Sequence, residues 1–496
     1  MSLPPIIVWF REDLRLQDNP AFHHAVQCCK PIIALFIVAT DSSLHLHGEA
    51  QKWWLQRSLK ALNNDLKQCG GELIIQSGDY LTILCKIIQL SGSKDCTWNN
   101  IYTPFYRQCD DHISQSLFKT VNIHRFSSPT LCDPIRITTD KGTPFRVFTP
   151  FWNKAQKQAS KRSASPLVTS LKNINFYQLS LKLQHEKHKG KNTQKDPDND
   201  PIQKDSSWSN KFCAYWQPGR AGALQVLARL PEVLSDYNTL RNYPATNHTS
   251  QLSAHLRFGE ISPQEIVAAL SKMHHIDTSM KTTFIRQLAW RDFHIHLMYH
   301  FPHILKRDWK SIYETMPWRT SFEDIQAWKK GRTGYPLIDA GMRQLYACGW
   351  MHNRIRMVVA SFFCKHLFIH WSHGALWFYD TLLDACPANN SAGWQWVAGS
   401  GADAAPYFRI FNPILQSKTF DPHGIYIKTW VKELADLPPE MIHDPWKQST
   451  KTPTTIPQHP SLINYPQPII ALSYGRHRAL NHYHTYISPK PTQSTT

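Results

Sequence analysis

Within the segment TTFIRQLAWRDFHIHLMYH, Gln287, Trp290, Arg291 and His294 recur at i, i+3, i+4 and i+7, so a helix places them on one face. An amide, an indole, a guanidinium and an imidazole side by side suit the lining of a polar cleft, where an indole stacks on a base and a guanidinium meets a phosphate. An ordinary surface face is the plainer alternative. A second predicted helix, GWMHNRIRMVVASFFCKHLFIHW, sets Asn353, Arg356 and Met357 on one face by the same spacing. An asparagine amide can read a base edge and a thioether fills irregular apolar contacts, although methionine is more often core.

Downstream, WFYDTLLDACPANNSAGWQWVAGSGADAAPYFRIFNP crowds Asp384, Asn389, Asn390, Trp394, Trp396 and Arg409 among small residues, which permit close backbone approach to a planar ligand. Neither a P-loop nor a GxGxxG fingerprint is present there. In NHTSQLSAHLRFGEIS, the hydroxyls of Thr249, Ser250 and Ser253 precede a helical run, as caps or as phosphate ligands. The 11 cysteines are scattered from Cys28 to Cys386 without a CxxC spacing, which argues against a zinc module or a disulfide framework and for a reducing compartment.

These residues need elements to position them. Up to about Pro134, apolar runs (PPIIVWF, KPIIALFIVAT, ELIIQS, NNIYTP, TVNIHRF) alternate with helical stretches such as EAQKWWLQRSLKALNNDLKQCG, the rhythm of a parallel sheet flanked by helices. A polar stretch over 180–209 reads as a connector, and the chain beyond it reads as helical. The expected organisation is an α/β domain over 1–134, a connector over 135–209, an all-α domain over 210–485 and a polar tail over 486–496. With 496 residues, 42% hydrophobic and 19% charged, the chain is globular rather than disordered. Its 55 Lys+Arg against 37 Asp+Glu leave +18, a balance that attracts polyanions. No signal peptide or apolar span is visible, so a soluble, intracellular and cytoplasmic protein is expected, with no membrane partner.

Five stretches in fixed order, VWFREDLRLQDNP, TSQLSAHLRFGEISP, WKKGRTGYPLIDAGMRQLYACGWMHNRIRM, NNSAGWQWVAGSGADAAPYFRIFNP and YPQPII, resemble the photolyase/cryptochrome flavoproteins, most of all the class I cyclobutane pyrimidine dimer photolyases. The resemblance implies an antenna-type α/β domain followed by a helical domain that buries FAD. It also implies a deoxyribodipyrimidine photo-lyase, which passes an electron from light-excited, reduced FAD to a flipped-out dimer in UV-damaged DNA and works as a monomer.

By that resemblance, Tyr237, Thr249, Ser250, Gln251, Leu252, Ser253 and Phe284 contact FAD, Arg356 and Asp384 form an ion pair beside the isoalloxazine, and Asn390 faces flavin N5. Trp394, Trp371 and Trp318 match the chain that re-reduces flavin from the surface. Arg241, Gln287, Trp290, Arg291, His294, Asn353, Arg354, Met357, Trp396, Arg409 and Leu415 match contacts to lesion or DNA.

Three departures from the pattern stand out. Gln287 stands where class I enzymes have Glu, and an amide donates a hydrogen bond but supplies no proton. Cys386 replaces the second Asp of an Asp-x-Asp flavin motif. Cys109-Asp110 replaces the Asn-Glu pair that holds a methenyltetrahydrofolate antenna. Gln287 keeps two alternatives open, a cryptochrome-like blue-light photoreceptor and a (6-4) photolyase; Asn353 and Met357 oppose the latter, because (6-4) enzymes carry histidines there.

Overall fold

The computed structural model describes residues 3–40, 47–128, 130–161, 170–180, 208–403, 408–447 and 460–488. Of the expected connector over 135–209, residues 162–169 and 181–207 fall outside these residues, as does 489–496 of the tail, whereas Phe148–Lys161 within the connector is a helix rather than a linker. Five strands, β1 (Ile6–Phe10), β2 (Ile32–Val38), β3 (Leu73–Ser77), β4 (Asp95–Asn99) and β5 (Asn122–Phe126), form a parallel sheet in the order β3-β2-β1-β4-β5. Ile6 of β1 sits opposite Ile32 on one side and Asp95 on the other. All five β1 residues are buried, as a central strand of a covered parallel sheet requires.

Helices α1 (Pro20–Gln27), α2 (Glu49–Gln68), α3 (Tyr80–Ser91) and α4 (Pro104–Leu117) alternate with the strands. Asn19 caps α1 by accepting from the Phe22 amide, with Pro20 in the first turn. Asp79 caps α3 through the Thr82 amide. In the core, Trp9 meets Tyr80 and Trp98 edge-on at 5.0 and 5.5 Å.

One strand differs from expectation. The fourth is not NNIYTP but the more polar DCTWN just before it, because Pro104 opens α4 and the chain is already turning there. The polar residues of β4 are tolerated because they are paired. Lys30 reaches Asp95 at 2.5 Å, and the Asn99 amide donates to Asp13 at 2.5 Å and Asn19 at 2.8 Å.

The chain forms two compact units. The first comprises Met1–Phe145, Thr149–Pro231 and Ser250–Pro302; the second comprises Arg146–Phe148, Glu232–Thr249 and the chain from His303 onward. The region from 210 onward, read as one helical domain, thus contributes to both. Besides the sheet, the first unit contains the long helix α5 (Thr278–His300). The second is helical, with α6 (Pro336–Cys348), α7 (Asn353–Ser361), α8 (Trp371–Thr381) and α9 (Pro387–Ala398) around a core that includes Trp328, Phe363, Phe378 and Trp394. The order of an α/β sheet first and helices after is the expected one.

Candidate functional site

In the first unit, α5 buries Phe284, Leu288, Ala289, Asp292 and Phe293, while Gln287, Trp290, Arg291 and His294 are all half-buried. The face read from the 3.6 spacing is therefore partly covered rather than freely solvated. Gln287 Nε2 donates to Thr283 O at 3.2 Å, and the Trp290 and His294 rings lie 5.8 Å apart. Arg291 is tethered from below: its guanidinium donates to Asp292 Oδ1 at 3.3 Å and Leu256 O at 3.4 Å. Asp292 also accepts from the Cys132 amide, yet burial still pushes its carboxyl up to about 6. Sequence reasoning passed over Asp292, because a carboxylate beside an arginine usually marks a solvated pair.

Ser250 behaves as a turn residue, its Oγ accepting from the Leu252 amide at 3.4 Å. Gln251 has φ +57°, a left-handed conformation that non-glycine residues hold at a cost of about 1 kcal/mol or more and that gathers at ligand clamps. Leu252 is buried, whereas Ser253, which opens the short helix Ser253–Arg257, is exposed.

In the second unit, Arg356 and Asp384 meet as a fork. Nη1 and Nη2 lie 3.0 and 2.9 Å from the two carboxylate oxygens, and Nε donates to Met351 O at 2.7 Å. Asn353 and Met357 lie one turn apart on the same helix, amide nitrogen to sulfur 3.8 Å, with Asn353 exposed. Asn390 is oriented by donating to Ala375 O at 2.8 Å. Cys386 occupies the cap position of α9 but makes no side-chain cap bond, which an aspartate there would supply.

Arg354 lies 4.3 Å from the Phe420 ring and donates to Asn242 at 2.7 Å. Burial, then the charges of Arg241 and Arg409, lower its pKa. Three guanidiniums that repel one another form a place where an anion is welcome. Tyr237 is buried beneath Arg241, whose guanidinium stands 5.7 Å from its ring; Thr249 is half-buried and Leu415 exposed.

Trp394 and Trp371 are buried at 3% and 1% exposure, and Trp318 is half-buried. The Trp394 indole packs against Phe378 at 5.0 Å, Phe363 at 5.8 Å and Trp328 at 6.0 Å. Trp371 donates its Nε1–H to Asp308 at 2.9 Å. Trp396 donates its own to Asp403 O at 3.2 Å. Asp308 carried no sequence signal, being 63 residues from its partner.

Residues 6–169 match the family profile described as DNA photolyase, and residues 284–485 the one described as the FAD binding domain of DNA photolyase. Over 486 residues the chain is 40% identical to the deoxyribodipyrimidine photo-lyase of Agrobacterium fabrum, covering 97% of this chain and 98% of that protein. The chain belongs to the photolyase/cryptochrome family. It is also 32% identical to Cryptochrome-1 of Arabidopsis thaliana, over 95% of this chain and 69% of that one. Among solved structures, a bacterial class III photolyase from Agrobacterium tumefaciens superposes with a TM-score of 0.86 at 37% identity, covering 98% of each chain. These family neighbours do not support the class I subtype expected from the motifs.

The cofactor of this family's helical domain is FAD, and the residues present fit it. The Arg356 side chain keeps 24% exposure while paired, so the fork still has a free side. A Cβ added at Gly393 would meet nothing within 4 Å, leaving α9 open beside Trp394. His248 Nδ1 and Arg241 Nε are buried without hydrogen-bond partners among the described residues, as groups awaiting an acceptor or donor would be. A folate at Cys109-Asp110 does not fit. Asp110 is fully buried and bound to Arg11 at 2.7 Å, with Arg125 at 3.6 Å, so its carboxylate is not available to a ligand.

Proposed function

We propose that the protein repairs cyclobutane pyrimidine dimers in DNA in a light-dependent reaction. The observation that carries this reading is on α7, where Asn353 and Met357 stand together at 3.8 Å on the helix whose Arg356 grips Asp384. The (6-4) enzymes carry histidines at those two places. Likeness to the class III structure supports that class over class I.

Bound FAD supplies the light-driven electron. Arg356 and Asp384 hold and orient it, and Asn390 presents a fixed amide. The arginines at 241, 354 and 409 meet backbone phosphates, which suits the overall charge of +18. Trp290 and Trp396 offer rings for stacking. Gln287 donates a hydrogen bond to the dimer and keeps its protons. Trp318, Trp371 and Trp394 return electrons from the surface, entering at Trp318, which is half-buried where the other two are buried.

The test is repair of thymine-dimer DNA by the FAD-loaded, chemically reduced protein under blue light, against a dark control. Light-dependent recovery of thymine absorbance is expected. Gln287 favours a second reading, a cryptochrome-like photoreceptor, which predicts bound FAD that photoreduces with no recovery of either dimer or (6-4) lesions.

A further inference from the structure

We infer that Asp308 is a positioning residue that directs oxidation along the tryptophans, making Trp371 easier to oxidise than Trp394. The inference rests on the tryptophan chain proposed above and adds to it the group that gives the chain a direction.

The Asp308 side chain is 1% exposed and both its oxygens face N–H donors. Oδ1 accepts from Trp371 Nε1 at 2.9 Å, and Oδ2 lies 3.4 Å from His370 Nε2. His370 Nδ1 accepts from the Ser372 amide at 3.3 Å and lies 2.8 Å from Ser372 Oγ, and a neutral ring that accepts at Nδ1 carries its hydrogen on Nε2, toward Asp308. The His370 ring lies 5.4 Å from Trp371 and 5.6 Å from Trp318, so the carboxylate is held by Trp371 itself and by a ring that packs near both outer tryptophans. Tyr313 and Cys364 also feel its charge, which adds to burial in raising their pKa values.

Trp394 has no such hydrogen-bond partner among the described residues. Its Nε1 is buried without one, and its ring is surrounded by Phe363, Phe378 and Trp328. A positive charge on an indole ring is stabilised by a carboxylate in contact and gains little from phenyl rings. With bound FAD as the light-driven electron acceptor, Trp394 would lose the first electron, and one electron would then pass from Trp371 to the Trp394 radical cation. Trp394 is restored, the radical cation resides on Trp371 and no proton has to leave.

Asp308→Asn keeps an acceptor oxygen and removes the charge. In FAD-loaded full-length protein, the expected result is a fall of about fivefold to tenfold in photoreduction yield per bound FAD and in the tryptophan radical that survives in flash absorption. Asp308→Glu, which keeps the charge, recovers part of both. Asp308→Ser serves as a second neutral variant should Asn not hold FAD. Neutral variants that match the wild type in yield and radical signal overturn the inference, since a purely structural acceptor would give that result. Trp371→Phe separates the two levels: if it photoreduces normally, the tryptophan reading fails and this inference with it; if it is blocked while Asp308→Asn is normal, only the inference fails.

Discussion

Gly374 of α8 lies so close to the Trp394 indole that a Cβ at 374 would sit 2.1 Å from its Cη2 and 2.6 Å from its Cζ3. The ring occupies the place of the missing side chain. Gly374→Ala is therefore expected to cost about 1–3 kcal/mol through overpacking and to displace Trp394. Urea denaturation reads the first effect; a drop in flavin photoreduction at equal FAD content reads the second.

The Arg356–Asp384 fork predicts that Asp384→Asn weakens FAD retention. Two charge-assisted bonds lose strength, and because Arg356 keeps 24% exposure the expected loss of stability is only about 1–2 kcal/mol. The ratio of flavin to protein absorbance after gel filtration should fall, while the circular dichroism spectrum stays close to that of the wild type.

Asp292 makes stability depend on pH in an unusual direction. Its carboxyl is shifted by burial from 3.8 to about 6, so the folded state binds the proton more tightly than the unfolded chain. Its contribution is fully present below 3.8 and is lost as pH rises through 6. Asp292→Asn removes that dependence. The variant should gain on the wild type between pH 4 and 7 by an amount on the order of 3 kcal/mol at most, measured as the difference between their denaturation midpoints.

The three mutually repelling guanidiniums predict a salt effect. Arg354→Ala should weaken binding to DNA of any sequence and reduce the slope of log affinity against log salt by about 1. An unchanged slope would show that the cluster faces no phosphate.

Gln287→Glu is expected to raise dimer repair per absorbed photon, because a carboxyl can deliver a proton where the amide cannot. Quantum yield with reduced protein is the measurement, and an equal or lower yield removes that role from the position.

Local periodicity carried much of the fold into view. The runs IIVWF and IIALFIV are strands because a covered parallel sheet demands unbroken apolar residues, and the spacing of Gln287, Trp290, Arg291 and His294 sufficed to place them on one half-buried face. What stayed hidden was contact between distant residues. The fourth strand, expected at NNIYTP, is the polar DCTWN, whose polar groups are satisfied by Lys30, Asp13 and Asn19, residues distant in sequence. Arg356 and Asp384, 28 residues apart, could be paired only through family resemblance, and nothing in either local sequence ties Asp308 to Trp371 or clears Gly374 for Trp394. Asp110 sits where the family motif has a folate-holding residue, and its carboxylate is taken by an arginine that follows the first strand, a pairing 99 residues apart that local sequence does not show.

The bond from Trp396 Nε1 to Asp403 O has a consequence for discrimination among nucleotides. With its sole polar hydrogen committed to the protein's own backbone, this indole can offer a base only a flat hydrocarbon surface. Adenine, guanine, cytosine and thymine all possess a matching surface, so whatever rests on Trp396 is accepted without regard to its letter.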